Sequence, residues 1–277
     1  LKDNDVAIEF TMVQLSPLDK DSYLLALVLT STGEPVMELV SKRDIIYNME
    51  QQFDLYDNPI FFRKFWGGAL LKHIEGKKRI FFASNNMLSN IPIEYLKDGA
   101  KPFFETHEVY RLSSTKELCR HYQTSSNKTL CLFGDVDYDT NTKAKNRDDF
   151  GSLEFSKAEI NGISDCMRKI FKVKVYDGRN ASEQNFRSLS ENCPAILHIA
   201  SHGKYTGDKG LTDDEAMNYS FIALSGINLF DQKQDNDGKI TAADVATMNL
   251  RQCDMVVLSA CQTALGGQGA DGIFGLQ

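Results

Sequence analysis

Two segments of the sequence end in side chains that could act together as a nucleophile and a base. His202 and Gly203 follow an apolar run that begins at Ala195, and Cys261 follows another that begins at Met255. Histidine titrates near neutral pH, so it can take a proton from a thiol, and the thiolate then attacks carbonyl carbon. The backbone N–H groups of Gly203 and Cys261 would hold the developing oxyanion. The residue types therefore predict acyl transfer at a peptide carbonyl.

Each of these residues also has a plain structural interpretation. A cysteine at a strand end is usually a small buried hydrophobe, and a histidine in an apolar run is usually a core residue. His198 is the alternative candidate for the base. Strand periodicity puts His198 and His202 on one face, but the apolar neighbours of His198 predict that it is a buried core histidine. The glycine-rich segment 266–272 is expected to be a mobile loop beside Cys261, or an ordinary solvent loop.

The two candidate residues require strands that end at one edge of a sheet. In the second half of the chain, strand-like apolar segments alternate with helix-like segments. The strands are expected at residues 129–133, 171–176, 195–200 and 255–259, and the helices at residues 156–170, 182–189 and 241–248. This alternation predicts a mostly parallel sheet with helices on both faces, and ligands collect at the carboxyl ends of such strands.

Local signals place the helix starts and a turn in this half. Ser156 with Glu159, and Thr241 with Asp244, are expected to form capping boxes. The segment around Gly238 looks like a calcium loop, but a lysine would occupy its first ligand position and an aspartate the last, where a bidentate glutamate is needed. We therefore predict a turn at Gly238 and no metal site.

The first half of the chain is organised differently. Strand-like segments at residues 6–14 and 23–30 predict an antiparallel start, and a buried strand is expected at residues 79–83. The polar run at residues 123–127 is a plausible seam between the halves. We place the domain boundary there, which gives one half at residues 1–125 and another at residues 126–277.

The composition excludes several classes of partner. The chain has 277 residues, 31 Lys plus Arg, 38 Asp plus Glu and a formal net charge of -7. Nucleic acid is not expected as the main partner of such an acidic chain, and no apolar run approaches the ~20 residues that span a bilayer. The six cysteines include no C-x-x-C pair, and none precedes Cys119. This pattern predicts free thiols in a reducing, cytoplasmic setting and one active site.

The two reactive motifs are recognisable when they occur together. HIASHG at residues 198–203 and VVLSACQTALGG at residues 256–267 resemble the CHAT family of caspase-like (clan CD) cysteine peptidases. Further segments are similar to stretches of that family: LFGDVDYD, GKITAADVATMNL, GADGIFGLQ and, in the first half, NMLSNIPIEYL. The resemblance covers nearly the whole chain.

This resemblance implies a fold and an activity. The fold is a caspase-like, mostly parallel sheet with helices on both faces, extended by an N-terminal accessory (pseudo-caspase) α/β half at residues 1–125. The activity is that of a cysteine endopeptidase, in which His202 and Cys261 form a dyad that cleaves a protein or peptide substrate through an acyl-enzyme. No metal or other cofactor is expected. The alternatives are a catalytically silent scaffold that binds a peptide or protein partner, or another Cys-His acyl transfer.

The resemblance also implies segments beyond this sequence. Members of the family usually carry helical repeats of the TPR type upstream, which are expected to regulate the peptidase. In the family, the stretch that resembles GADGIFGLQ continues into further elements that hold substrate. We therefore expect a C-terminal remainder or a second chain to complete the groove.

Four aspartates are candidates for the substrate pocket. Asp135, Asp137 and Asp139 follow the first strand of the second half, at the sheet edge where caspase-like peptidases place part of the primary specificity pocket. One of them, or Asp271, is expected to present a carboxylate to a basic P1 side chain. A solvated acidic loop is the alternative interpretation.

Overall fold

The fold is taken from a computed structural model of the chain. It describes residues 1–14, 16, 21–52, 54–84, 88, 91–120, 124–139, 150–207, 213–228, 236–260, 266–269 and 272–275. The chain forms two compact units, one of residues 1–121 with 268–273 and the other of residues 122–267 with 274–277. The functional assignment of the two halves, accessory and catalytic, stays a prediction.

The first unit is built around a five-stranded mixed sheet. Its elements in chain order are β1 (Asp5–Val13), β2 (Tyr23–Thr30), β3 (Val36–Lys42), α1 (Arg43–Glu50), α2 (Pro59–Phe65), α3 (Leu71–Ile74), β4 (Arg79–Ala83), β5 (Lys97–Asp98), β6 (Lys101–Pro102), α4 (Phe103–Thr106) and β7 (Glu108–Leu112). The strand order is β3-β2-β1-β4-β7. The pairs β1–β2 and β2–β3 are antiparallel, which confirms the predicted start, whereas β1–β4 and β4–β7 are parallel.

One face of this sheet carries the core of the first unit. Alternate residues of β1, Val6, Ile8 and Phe10, are buried in a cluster that also contains Trp66 and Phe103. The indole N–H of Trp66 donates a hydrogen bond to the carbonyl of Ile93 at 2.9 Å, so the buried ring has its one polar group satisfied. The period of two along β1 therefore fixes which face packs against the helices.

The remaining elements follow the alternation seen in the sequence. In chain order they are β8 (Thr129–Val136), α5 (Ser156–Met167), β9 (Lys172–Gly178), α6 (Glu183–Arg187), β10 (Ile196–Ala200), β11 (Gly203–Tyr205), α7 (Asp213–Tyr219), β12 (Ser220–Ala223), β13 (Lys239–Thr241), α8 (Ala242–Thr247), β14 (Met255–Ser259), β15 (Gly266–Gly269) and β16 (Gly272–Gly275). Four of the strands form a sheet of order β14-β10-β8-β9, and every pair in it is parallel. The predicted parallel sheet is confirmed.

Both faces of the parallel sheet are covered. Leu197 and Ile199 of β10 pack in a cluster with Phe186 of α6, and Ala200 packs in another with Ile160 of α5. Successive residues of one strand thus enter opposite layers, as expected for a sheet with helices on both sides. A second, antiparallel sheet of order β11-β12-β13 follows β10 in the chain.

Two local predictions in this half have different outcomes. Thr241 caps α8 and forms the predicted box with Asp244, whose backbone N–H donates to Thr241 Oγ1 at 3.0 Å. The box predicted for Ser156 and Glu159 is wrong. Phe155 is the N-cap of α5, and Ser156 Oγ accepts instead from the backbone N–H of Asp135 at 3.0 Å. Ser156 Oγ therefore accepts from a residue that is distant in the sequence rather than from the N–H of Glu159.

The glycine-rich segment also differs from its prediction. Within residues 266–272, expected to be a loop, Gly266–Gly269 forms strand β15, and Gly272 begins strand β16 (Gly272–Gly275), which pairs with β15. Among the helices in the described part of the chain, none combines the length and the hydropathy of a membrane-spanning segment.

Candidate functional site

The strands that precede the two candidate catalytic residues are neighbours. β10 and β14 pair in parallel, with Ile196 opposite Met255 and Ala200 opposite Ser259. His202 comes two positions after Ala200 in the sequence, and Cys261 comes two positions after Ser259. The expectation that these strands lie side by side and end at one edge is therefore confirmed.

The structure describes part of the predicted site. His202 is half-buried, and Gly203 is the buried first residue of β11, opposite Ile222 of β12. Cys261 and Asp271 lie outside the described residues. Their predicted roles, and those of the Gly203 and Cys261 N–H groups as oxyanion donors, stay predictions.

The hydrogen bond of His202 assigns its tautomer. Its Nε2 lies 2.8 Å from the carbonyl oxygen of Gly151. Because a carbonyl can only accept, Nε2 carries the proton, and in the neutral ring Nδ1 is left with the free lone pair. Nδ1 is therefore the nitrogen of His202 that can act as a base.

Two aromatic rings contact the imidazole of His202. The ring centroids of Tyr138 and Phe150 lie 5.2 Å and 5.4 Å from it. Tyr138 is buried, and its hydroxyl pairs with Ser201 Oγ at 3.0 Å; Ser201 Oγ in turn donates to the Ala223 carbonyl. Burial raises the pKa of Tyr138, and hydrogen bonds with Ser201 and the His202 backbone offset only part of that effect. These contacts fix the ring from the side of β8.

A buried asparagine holds these aromatic residues in place. Asn228 is 3% exposed, and its side chain accepts from the Phe150 N–H at 2.9 Å and donates to the Phe150 carbonyl at 3.0 Å. Its Nδ2 also donates to Asp139 Oδ1 at 2.8 Å, and its backbone N–H donates to the Tyr138 carbonyl at 3.1 Å. The amide thereby ties residues 138–139 to the segment that presents the Gly151 carbonyl.

The other histidine of the motif is structural, as predicted. His198 is 7% exposed, and its Nε2 lies 2.9 Å from Glu159 Oε1 of α5. The expectation that His198 and His202 share a face is wrong. β10 ends at Ala200, so the period of two does not reach His202, which contacts the rings of Tyr138 and Phe150 instead.

The three described pocket aspartates have different partners. Asp135, in the left-handed region with φ of 50°, forms an ion pair with Lys157 at 2.7 Å. Asp137 pairs with Arg179 at 3.3 Å. The exposed Asp139 is held by the neutral amide of Asn228. Tyr138, which contacts His202, lies between Asp137 and Asp139 in the sequence. Of the three aspartates, only Asp139 has no cation among the contacts described.

No metal centre is visible in the described part of the chain, where no group of three His, Cys, Asp or Glu side chains could hold an ion. Gly238 has a φ of 78°, and a Cβ there would meet the Ile227 backbone at 2.5 Å, which agrees with the turn predicted at this position. The glycine is required by backbone geometry.

Several residues of the site carry no signal in the sequence. The Gly151 carbonyl, Phe150 and Asn228 all reach His202 or its neighbours through tertiary contacts. Phe150 and Gly151 follow a polar stretch of sequence that holds no apolar pattern, and any residue can offer a carbonyl. Tyr138 and Ser201, by contrast, lie within motifs that the sequence singled out, LFGDVDYD and HIASHG.

The sheet order, the parallel pairing and the histidine at the sheet edge define a caspase-like α/β protein. A family model for the CHAT domain, a caspase-like family, matches residues 62–277. This chain belongs to the CHAT-domain family, and the resemblance seen in its motifs is confirmed. None of the curated proteins compared with the chain matches it.

Proposed function

We propose that the protein is a cysteine endopeptidase in which Cys261 is the nucleophile and His202 the base. The observation that carries the proposal is the parallel pairing of β10 and β14 with Ala200 opposite Ser259. Since His202 and Cys261 each follow two positions later in the sequence, this register supports a site that the two residues share. Membership of a caspase-like family supports the same reaction class.

The tautomer of His202 indicates how protons move. Nδ1 takes the proton of the Cys261 thiol, and the thiolate attacks the peptide carbonyl carbon. The imidazolium then gives this proton to the leaving amine as the C–N bond breaks. Water, deprotonated by the same nitrogen, attacks the acyl carbon; the C–S bond breaks, the acid leaves, and the Cys261 thiolate takes the proton back from the imidazolium. The Gly151 carbonyl stabilises the cationic ring, because it accepts from Nε2 throughout.

We further propose a preference for a basic P1 side chain, with Asp139 as the best supported of the described candidates. Asp135 and Asp137 already face Lys157 and Arg179. Asp139 is exposed, and its hydrogen bond from Asn228 orients the carboxylate without neutralising it. Asp271 remains the second candidate. The regulatory repeat segment and the chain that completes the groove stay predictions.

The test compares the wild type with Cys261→Ala and His202→Ala on fluorescein-labelled casein and on a fluorogenic peptide-amide library that varies P1. Each substitution should lower kcat/KM by about 1,000-fold or more. Cys166→Ala is the control for loss of a thiol, because Cys166 is exposed on α5 and has no proposed role in catalysis. The melting temperatures of all variants should stay close together.

Each result has a defined meaning. Cleavage that survives Cys261→Ala contradicts the assignment of the nucleophile. If the wild type binds library peptides but cuts none, the protein is a silent scaffold. Equal cleavage after acidic, neutral and basic P1 residues contradicts the proposed preference, and Asp139→Asn should weaken the preference while leaving cleavage intact.

A further inference from the structure

The first turn of α5 contacts both strands that lead to the proposed dyad. Glu159 Oε1 lies 2.9 Å from His198 Nε2 on β10. Its other oxygen, Oε2, accepts from Ser259 Oγ on β14 at 3.2 Å. One carboxylate therefore joins two neighbouring strands through side chains, in addition to the backbone ladder between them.

The two partners of Glu159 lie close to the proposed catalytic residues in sequence. His198 precedes His202 by four positions on the strand that leads to it, and Ser259 precedes Cys261 by two. Ser259 is the last residue of β14, where the ladder ends. A side-chain bond at this point restrains the strand end from which the nucleophile continues.

The carboxylate itself is held firmly. Glu159 lies in the first turn of α5, where the free N–H groups of the helix favour a negative charge. The same turn is fixed to the end of β8, since Ser156 Oγ accepts from the Asp135 N–H and Lys157 pairs with Asp135. The His198 side chain is 8% exposed and the Glu159 side chain 34%, so their bond is shielded from water on the side of the histidine.

We propose that Glu159 is a positioning residue for the Cys261–His202 pair, acting through Ser259 and His198 on the two strands that carry the pair. This inference rests on the proposed peptidase function. In this role Glu159 acts through His198 and Ser259 and sets the distance between the strand ends. Small displacements of reacting groups have large kinetic effects, so a structural bond here has a catalytic consequence.

The experiment uses the full chain with Ser259→Ala, Glu159→Ala and Glu159→Gln. Kinetics are measured on the fluorogenic peptide amide that the P1 library selects. Ser259→Ala and Glu159→Ala should lower kcat by about 10-fold to 100-fold while KM stays within about two-fold. Glu159→Gln keeps the length and one acceptor oxygen, and His198 can change tautomer to accept from the amide, so this variant should retain most of the activity.

A second readout does not depend on turnover. Iodoacetamide labelling at Cys261, followed by peptide mass spectrometry, reports the thiolate fraction, with the exposed Cys119 as internal reference. Labelling of Cys261 should fall in Ser259→Ala and Glu159→Ala, whereas labelling of Cys119 should stay unchanged in both variants. Asp165→Asn is the matched control, because it removes another carboxylate of the same helix.

The outcomes separate the two proposals. If wild-type Cys261 labels no faster than Cys119, and His202→Ala changes nothing, there is no dyad and both proposals fail. If labelling depends on His202 but Ser259→Ala and Glu159→Ala behave as wild type, the positioning role alone is overturned. The positioning role is also overturned if Glu159→Gln loses as much activity as Glu159→Ala. In that case the charge of Glu159, rather than the geometry of its hydrogen bonds, would matter. Ser259→Ala keeps the test valid if Glu159→Ala fails to fold, since Ser259 is exposed.

Discussion

At the residue scale, the buried polar side chains of the second unit differ in whether all their polar atoms have hydrogen-bond partners. Asn228 and His198 are both at least nine-tenths buried, and their side chains have hydrogen-bond partners. Glu183 is 4% exposed, and only its Oε1 is paired, with Arg187 at 2.8 Å. Among the described residues, no donor meets hydrogen-bond geometry at its Oε2, and the Gly238 backbone N–H nearby lowers the pKa of the carboxyl without offsetting its burial. Because an unpaired buried acceptor costs free energy, Glu183 is a weak point of the fold.

We expect Glu183→Gln to stabilise the protein at pH 7. Burial raises the pKa of the Glu183 carboxyl above its ordinary value of 4.5, and the ion pair with Arg187 offsets only part of this shift. The native state therefore prefers the neutral carboxyl, and the charged form is a penalty at neutral pH. The amide removes that penalty, and Arg187 keeps Asp244 as a partner at 2.9 Å. The gain in the free energy of unfolding should be roughly 1 kcal/mol in urea titrations.

The sign of the pH dependence gives the decisive control. As the pH falls through the raised native pKa towards the unfolded value of 4.5, the wild-type carboxyl takes up its proton and the penalty disappears. The advantage of Glu183→Gln over the wild type should thus be present at pH 7 and lost below pH ~4. The exposed Glu191→Gln should show no such difference. A variant that is less stable than the wild type at pH 7 would contradict the expectation.

At the element scale, the sequence predicted the strands better than the contacts between elements. Residues 23–30 and 79–83 were expected as strands and form β2 and β4 with those bounds, because apolar alternation is a property of the strand itself. Glu159 shows the limit. Its sequence context favours a capping box, yet its carboxylate binds His198 and Ser259, which are distant in the chain. The apolar pattern of the sequence identifies the strands and helices. The direction of a polar side chain depends on partners that folding brings close to it.

The candidate site shows the same limit. His202 could be singled out because a reactive side chain after an apolar run is visible in the sequence. The Gly151 carbonyl that assigns its tautomer could not, since the bond depends on a backbone group brought close by folding. Gly203 was correctly placed just past β10, but the use of its N–H depends on a substrate.

We expect Gly134→Ala to disturb the packing of α5 on β8. A Cβ at Gly134 would lie 2.7 Å from Ile160 Cγ2 and 3.4 Å from the Ser156 carbonyl oxygen. Ile160 is 1% exposed and has little room to move, so the helix must shift outward. The free energy of unfolding should fall by about 1–3 kcal/mol in urea titrations. If Glu159 acts as proposed, kcat should fall too, because the helix that carries it has moved.

A double substitution provides the control for this contact. Ile160→Ala alone leaves a cavity and should cost about 2–5 kcal/mol. In Gly134→Ala with Ile160→Ala, the new methyl group enters the vacated space, so the combined loss should be smaller than the sum of the two. Additive losses would show that the two residues do not meet.

At the scale of the whole molecule, the hydrophobic clusters of the described residues fall into the two units. The buried members of the cluster around Trp66 come from residues 6–103, and those of the two clusters around the parallel sheet come from residues 130–240. The chain has a single tryptophan, Trp66, which is 0% exposed. Cys131 is also 0% exposed, and burial raises the pKa of its thiol to about 11, so it should react only after the second unit opens.

These two residues allow the units to be followed separately during unfolding. Ile8→Ala on β1 and Ile199→Ala on β10 remove matched buried side chains, which are 0% and 1% exposed. Each should cost about 2–5 kcal/mol in its own unit. In urea, Ile8→Ala should move the midpoint of Trp66 fluorescence, and Ile199→Ala should move the midpoint of Cys131 alkylation measured by mass spectrometry. Because the clusters share no described residues, each variant should leave the midpoint of the other probe nearly unchanged. Equal shifts of both midpoints would show that the chain unfolds as one cooperative body.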